Sequence, residues 1–557
     1  MLEDGYSTNV LCALFTIFFI LMLNFFRYLV REPHIHIRDV TKEHNWKSIR
    51  TETKAYYCSI CESLLLNING LICDSCGVCA DPTCVKIADK QLKCKLITVN
   101  ANEPMKHHWI KGNLALNVIC EICNEECDVE PGLTDWWCCW CQKCVHDNCK
   151  SKLSNICDFG KFKLMIIPPS SLNLRSTVRR RLYLCSVIPP NWPQWNPLIV
   201  VANKRSGNND GAEILSLFRR LLNPAQVVDL SERDPVAVLE WCRLLGKVTC
   251  TVLVAGGDGT IAWLLNAIHK LELEPVPSVA VIPLGTGNDL SRVLGWGKEH
   301  DPDKDPADIL HEIQKAQKVE LDRWTVIVKP YGGLGLRSSQ QTFYMYNYLS
   351  VGVDAQVTLN FHRTRESRFY FYSSRLFNKL LYLCFGMQQV VERDCKDLDK
   401  NIELYLDEEK VNLPSIESIV ILNIPSWAAG VDLWNMGLEG HEEYGKQSIN
   451  DGKLEVVALY SSFHMAQLQV GLSQPYRLGQ ANNIVIKQSC LQTQLKELFN
   501  SFILDYVRDF RLVDSLYFMN KGTSMIKVKC KIEIIFYVCE LYIFIFYLLV
   551  TYFKPYY

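Results

Sequence analysis

Neither sign of charge prevails in this chain: 59 Lys and Arg stand against 60 Asp and Glu, a net charge of −1. That balance excludes bulk attraction to nucleic acid, so any basic patch must be local. A cleavable leader is not expected either. The apolar run near the amino terminus has Glu3 and Asp4 ahead of it instead of basic residues, and no small-residue cleavage site follows. A length of 557 residues exceeds what one core organises, so several domains are expected. Cysteine, by contrast, is abundant and odd in number, 25 in all, which poses a choice between disulfides and metal ligands.

Spacing decides for metal. From His107 twelve residues intervene before Cys120, two before Cys123, fourteen before Cys138, two before Cys141, four before His146, two before Cys149 and seven before Cys157. Paired thiolates at CxxC spacing reach one ion at about 2.3 Å, and eight such ligands make two closed tetrahedral zinc sites of the structural kind. An earlier, less regular copy carries His44, Cys58, Cys61, Cys73, Cys76, Cys84 and Cys94, with Asp81 where its second histidine belongs. A carboxylate can ligate zinc, so Asp81 is expected to close that site. Cys127, Cys139 and Cys144 fall outside the pattern. Modules this small need their metal to fold, and thiolate sites favour a reducing compartment, which puts the body of the chain in the cytosol.

The two segments, 44–94 and 107–157, resemble the phorbol-ester/diacylglycerol-type zinc module, whose two sites interleave. The resemblance implies one ion on His107, Cys138, Cys141 and Cys157 and another on Cys120, Cys123, His146 and Cys149. Neither copy has the Gln-Gly pair that lipid-binding members carry before the second CxxC. Structural support or membrane placement is the expected role.

Val10 to Phe26 is apolar except for Thr16 and Asn24, and with Tyr28-Leu29-Val30 it approaches the length of about 20 residues that spans a bilayer. Arg27, Arg31 and Arg38 follow it, so residues 1–31 read as a single-pass anchor with the remainder facing the cytosol, at the endoplasmic reticulum or plasma membrane. A re-entrant or interfacial segment is the competing reading.

Three apolar runs each enter a glycine-bearing polar loop and then a helical pattern. They are Pro197–Ala202 into Asn203-Lys204-Arg205-Ser206-Gly207, Val252–Ala255 into Gly256-Gly257-Asp258-Gly259-Thr260, and Val279–Leu284 into Gly285-Thr286-Gly287-Asn288-Asp289. Repeated strand–loop–helix units imply a parallel sheet with helices on its faces and a ligand site beyond the carboxyl ends of its strands. Glycines let the backbone approach an anion, and the helix start supplies the positive end of a dipole. Asp258 is then no anion ligand; it is expected to hold magnesium, its water or the reacting hydroxyl. Ordinary connecting loops are the bland alternative for any one of the three.

The combination of GGDGT with PLGTGNDL resembles the catalytic domain of diacylglycerol kinases, with further support from Leu321–Trp324, Asn347–Asp354 and Asp451–Val456. The resemblance covers about Asn196 to Gln480, and the amino-terminal architecture points within the family to the membrane-anchored epsilon type. It implies an α/β nucleotide-binding lobe (195–320) followed by a mostly antiparallel β lobe (321–490), with the active site between them. The implied reaction moves the γ-phosphoryl of ATP to diacylglycerol, giving phosphatidic acid, as in lipid second-messenger signalling and phosphoinositide turnover. ATP would lie on Asn203, Arg205, Ser206, Gly207, Gly256, Gly257, Gly259, Thr260, Gly285, Thr286, Gly287 and Asn288, with Mg2+ offsetting its charge. Asp258, Asp289 and Asp322 are the expected catalytic carboxylates, and Asp451 would hold a structural magnesium. A helix cap or first-turn acid is the alternative for Asp289. The partners implied are the lipid substrate and the bilayer, with no nucleic acid. Sphingoid and ceramide kinases share the GGDG-type loop and form a broader alternative.

Residues 158–194, with Pro168-Pro169-Ser170-Ser171 and Pro189-Pro190-Asn191, read as a linker. Basic runs at Arg179-Arg180-Arg181 and at Arg363, Arg365, Arg368, Arg375 and Lys379 could meet lipid headgroups. After Gln480 the family's Asp-Gly-Glu segment, whose glutamate the resemblance makes a general base, does not occur. Residues 491–557 read instead as a divergent tail that leaves the second lobe without its final strands. Its apolar stretch Ile532–Phe553 is long enough to span a membrane despite Glu533 and Glu540. Hence the competing functional reading: a membrane-tethered, zinc-stabilised binding protein with a defective kinase fold.

Overall fold

The computed structural model describes residues 44–49, 55–65, 70–100, 103–176, 182–204, 206–331, 341–366, 395–437 and 444–488, with short pieces at 19, 22, 35–37, 381, 384–389, 517–520 and 533–539. Apart from Phe19 and Met22, the run Val10–Phe26 lies outside them, as do Arg179-Arg180-Arg181 and most of the second basic cluster. Among the described residues no helix is long and apolar enough to cross a membrane.

Each cysteine-rich module contains a three-stranded antiparallel sheet: β1 (Trp46–Ser48), β2 (Leu71–Cys73) and β3 (Cys79–Ala80) in the first, β4 (Trp109–Lys111), β5 (Trp136–Cys138) and β6 (Cys144–Val145) in the second. The helix α1 (Val85–Gln91) follows β3. The four CxxC pairs at Cys58/Cys61, Cys73/Cys76, Cys120/Cys123 and Cys138/Cys141 are each followed by a residue in the left-handed region, Glu62, Gly77, Asn124 and Gln142, which donates its N–H back to the carbonyl of the first cysteine of its pair. That tight turn brings two thiolates to one side of the chain.

These modules are not beads on a string. Cys73, Cys94, Cys138 and Trp140 share one continuous core with Leu198, Val252 and Val279 of the next domain. The described part of 158–194 contributes to that core as well, with Ile166 and Ile167 buried and Gln226 bonding to both Met165 O and the Ile167 N–H. The expected linker is therefore a structural wedge: its prolines punctuate short 3-10 turns that bury Phe162, Met165 and Pro169. At its centre Lys95, fully buried, donates to the carbonyls of Arg220 (2.7 Å), Leu222 (2.9 Å) and Arg219 (3.4 Å) and lies 4.3 Å over the Trp140 ring. Beside it Arg219 pairs with buried Asp74 at 2.8 Å.

The first kinase lobe holds β7 (Leu198–Ala202), α2 (Asp210–Leu221), β8 (Val227–Asp229), α3 (Pro235–Leu244), β9 (Thr251–Gly256), α4 (Asp258–Lys270), β10 (Ser278–Pro283), α5 (Asp289–Val293), α6 (Pro306–Lys315) and β11 (Gln317–Glu320). All of β7, β9 and β10 is buried, as strands covered by helices on both faces must be. Capping sets the helix starts: Asp234 accepts from Ala237 N–H ahead of Pro235, and Asp305 from Ala307 N–H ahead of Pro306. The sheet runs β8-β7-β9-β10, all parallel, then the strand Tyr517–Asn520 parallel to β10, then β11 antiparallel. Chain order reverses between β7 and β9, which opens a crevice at their carboxyl ends.

The second lobe is a sandwich. One sheet orders β12 (Trp324–Tyr331) next to β13 (Gln341–Met345); the other is β14 (Tyr348–Gly352) with three strands that follow, Ser418–Leu422, Leu454–Leu459 and Tyr476–Ala481. Ile419 and Ile421 enter the core between the sheets, while Val420 and Leu422 enter a second core with Trp427, Trp434 and Leu468. The unbroken apolar run at 419–422 thus reflects burial on both faces. Its four-stranded sheet is wholly antiparallel, as expected. In the other sheet, however, Glu533–Cys539 lies parallel between β12 and Ile484–Gln488. The tail is thus no lost ending. Where it is described it supplies one strand to each lobe, and Glu533–Cys539 is a sheet strand instead of part of a second membrane segment.

Candidate active site

The three glycine loops meet at the carboxyl ends of adjacent strands. Gly257, the cap of α4, touches Gly285: a Cβ on Gly285 would stand 2.7 Å from Gly257 Cα and 2.6 Å from Asn288 Oδ1. Thr260 packs its Cβ against Gly256 in the same way. The Gly285→Ala variant is accordingly expected to push the two loops apart and to weaken binding of a magnesium nucleotide at least tenfold, measured by titration, with a far smaller change in melting temperature. Gly207, with φ of 62°, sits in the third loop, and Gly211 brings the start of α2 hard against the Asn203 carbonyl. Arg205 lies outside the described residues.

Asp258 opens α4, and its carboxylate reaches across to α5, where Oδ2 accepts the Asp289 N–H at 2.9 Å and Oδ1 the Leu290 N–H at 3.1 Å. Removal from water pushes its carboxyl up to about 6, and the neighbouring Asp289 charge adds to the rise. The Asn347 side chain also hydrogen-bonds to this carboxylate, so of its roughly four lone-pair sites about one is left for a metal ion or a hydroxyl proton.

Asp289 does not cap its helix. Its side chain crosses to the second lobe, Oδ1 accepting from Ser426 Oγ at 2.6 Å and Oδ2 from the Ala429 N–H at 3.3 Å and Tyr348 Oη at 3.4 Å. It is a buried hinge pin between lobes. Asn288 likewise works on the loop itself: in the left-handed region, it accepts from the Gly285 N–H and donates to Gly285 O and Lys298 O. Its carboxamide, expected on the nucleotide, is instead what shapes the turn. Asp322 is buried at the junction of lobes, where its Oδ2 accepts the Gly452 N–H at 2.6 Å. Burial first, then the charges of Asp451 and Glu320, lifts it to about 6. Asp451 itself is exposed and folds back on the Lys453 N–H. The geometry therefore brings Asp258 and Asp289 together, and it places Asp322 beside Asp451.

Ser426, Tyr348 and Ala429 were not anticipated, because they arrive from 59 to 140 residues away. The one local signal is the strained turn at Ala428, Ala429 and Gly430, all with positive φ.

Deeper in the second lobe Glu455 is fully buried between Gln447 and Gln480, and burial lifts its carboxyl to about 8 from an ordinary 4.5. The folded chain keeps a proton there that the unfolded chain releases, so stability from this group is complete below pH 4.5 and is lost as pH rises to about 8. Urea unfolding across that window is expected to show a slope of about 1.4 kcal/mol per pH unit that the Glu455→Gln variant removes.

The metal ligands fall into clusters. His44, Cys73, Cys76 and Cys94 form one, His107, Cys138, Cys141 and Cys157 a second, and Cys120, Cys123, His146 and Cys149 a third, each with ligand atoms within 4.8 Å of one another. Ligands tetrahedral around zinc at about 2.3 Å stand about 3.8 Å apart. Cys73 and Cys94 sulfurs lie 3.7 Å apart, Cys138 and Cys157 4.0 Å, and the His44, His107 and His146 Nδ1 atoms stand 3.2 to 3.4 Å from a cysteine sulfur. The free ring nitrogens of His44 and His146 meet the Leu92 and Glu126 carbonyls, an arrangement that turns Nδ1 toward an ion. The donor sets fit zinc. A fourth cluster has only Cys58, Cys61 and Cys84. Asp81 is the exception to the expected set: its Oδ1 accepts from Thr83 N–H at 2.9 Å and Thr83 Oγ1 at 2.6 Å, because a short acid beside a helix start satisfies the local turn first.

The model of the diacylglycerol kinase catalytic domain matches residues 197–322, and that of the accessory domain residues 344–497. The probable diacylglycerol kinase 3 of Caenorhabditis elegans is 32% identical over 487 residues, 80% of this chain and 60% of that protein. Human diacylglycerol kinase theta is 38% identical over 320 residues, 55% of this chain and 33% of its own. The chain thus spans less than two thirds of these two relatives. Diacylglycerol kinase 2 of Arabidopsis thaliana is 30% identical over 528 residues, 75% of this chain and 74% of the relative. The human relative is a theta type, where the sequence pointed to epsilon, so the assignment rests at the family level. By both domains and by that plant relative, the chain belongs to the diacylglycerol kinase family.

Proposed function

We propose that the chain transfers the γ-phosphoryl of ATP to the free hydroxyl of diacylglycerol, giving phosphatidic acid and ADP. The carrying observation is the convergence of three glycine loops on Asp258 at the reversal of a parallel sheet. Phosphoryl transfer depends on positioning and charge neutralisation. The loops at Gly207, Gly257 and Gly287 cradle the triphosphate, and Mg2+ neutralises it when bound. Asp258, lifted to about 6, is ionised at neutral pH yet basic enough to accept the hydroxyl proton. That role would meet the lack of an Asp-Gly-Glu segment after Gln480 with a residue the chain does have.

Four zinc sites, the assignment of Asp322 to the catalytic network and of Asp451 to magnesium, and the membrane-anchored, epsilon-like arrangement belong to the same reading. The apolar run Val10–Phe26 with Arg27, Arg31 and Arg38 behind it supports an anchor whose catalytic part faces the cytosol. Such an anchor would let the enzyme meet a water-insoluble substrate within the plane of the bilayer.

The test is incubation of the full chain with magnesium, γ-labelled ATP and mixed micelles holding diacylglycerol, ceramide or sphingosine. Label in phosphatidic acid alone is expected. Label in a sphingoid lipid would reassign the substrate, and nucleotide binding without any labelled lipid would favour the defective-kinase reading.

A further inference from the structure

We propose that Cys58, Cys61 and Cys84 hold a metal ion through three thiolates alone, with an exchangeable fourth position open to solvent. The chain would then carry three closed zinc sites and one open one.

Several observations converge on these three sulfurs. Their atoms lie within 4.8 Å of one another, as in the three four-ligand clusters. Cys58 and Cys61 sit on the same turn as the other CxxC pairs, with Glu62 left-handed and its N–H on the Cys58 carbonyl at 2.9 Å. The Asp81 N–H points at the Cys58 sulfur at 3.3 Å, which fixes that sulfur in place beside its two neighbours. All three cysteines are free of disulfides.

What differs is the fourth ligand. In the second module His146 turns Nδ1 to 3.2 Å from Cys123 and anchors its other nitrogen on the Glu126 carbonyl. In the first module Asp81 occupies the matching place, and its Oδ1 is held by the Thr83 N–H and hydroxyl. A carboxylate turned into its own loop does not close the tetrahedron. Cys61 is exposed, so the vacant corner faces water, whereas Cys58 and Cys84 are buried. Three protein ligands and a solvent position are the pattern of reactive zinc sites, in contrast to closed structural ones. Three thiolates on a divalent ion leave one net negative charge, which favours a neutral donor such as water or an imidazole over an anion.

The full-length protein, isolated with its zinc, provides the test. On addition of a chromogenic chelator, four ions per chain are expected, one of them leaving at least about tenfold faster than the rest, the lower end of what even an outer-shell partner contributes to metal affinity. Cys61→Ser should abolish that fast phase. Asp81→Asn, which keeps the oxygen that Thr83 uses, should leave it unchanged, and Asp81→His should slow it to the rate of the others. With cobalt in place of zinc, imidazole should shift the visible bands of one site in four. Release of all four ions in one phase, a chain that holds fewer than four, or faster loss from Asp81→Asn would each overturn the proposal.

Discussion

Asp258→Ala is expected to lower the rate of lipid phosphorylation by a factor of about 100 to 10,000, the range that a positioned proton acceptor supplies. The carboxylate does two things, and the variants separate them. It accepts the backbone N–H groups of Asp289 and Leu290, which fixes α5 against α4, and in the proposed reaction it would offer its remaining lone pair to the reacting group. Alanine removes both functions, so some loss of thermal stability should accompany the loss of activity. Asp258→Asn keeps one acceptor oxygen and the shape of the side chain. It should be nearly as inactive as alanine while melting closer to the parent. The acid limb of the rate–pH profile should fall near 6, where the raised carboxyl takes up its proton. Equal activity of the parent and Asp258→Asn would remove Asp258 from the chemistry.

Lys95→Met should be the most damaging change outside the active site. The ammonium uses its three protons on the carbonyls of Arg219, Arg220 and Leu222, which close the end of α2. Helix-terminal carbonyls have no partner of their own, and each one left buried and unpaired costs roughly 1–3 kcal/mol. Methionine fills nearly the same space and satisfies none of them. A loss of about 3 kcal/mol or more in urea unfolding is expected on that basis. Because α2 starts beside the Asn203 loop, nucleotide affinity should weaken alongside stability. Lys95 also directly follows the ligand Cys94, so stripping zinc from that cluster should reproduce both effects in the parent chain. A Lys95→Met chain as stable as the parent would show that docking of the modules does not depend on the Lys95 ammonium.

What the sequence made legible was whatever repeats locally. Three strand–loop–helix units, the CxxC turns and both ligand sets of the second module are each written within a few tens of residues, and their geometry is imposed by hydrogen bonds between near neighbours. Long-range satisfaction was not legible. Asp289 looks like any first-turn acid until Ser426 and Ala429 arrive from the other lobe. Asp81 has the chemistry of a ligand, but Thr83 lies two residues away and holds its oxygen. The prolines of 158–194 suggested a linker because they do punctuate turns; that Ile166 and Ile167 are buried beneath those turns depends on Gln226, some sixty residues further on. Strands 517–520 and 533–539 escaped notice for a related reason, since a strand inserted between two distant neighbours carries no partner of its own nearby.

That last insertion bears on how the molecule is made. The strand Tyr517–Asn520 fills the slot between β10 and β11, strands that emerge from the ribosome some two hundred residues earlier. At about 5–20 residues per second the slot would stay vacant for roughly 10–40 s of synthesis, with its two bordering edges lacking their native partner. The first lobe is therefore finished late and together with its neighbour, and until then the edges of β10 and β11 that face the slot lack their native partner strand.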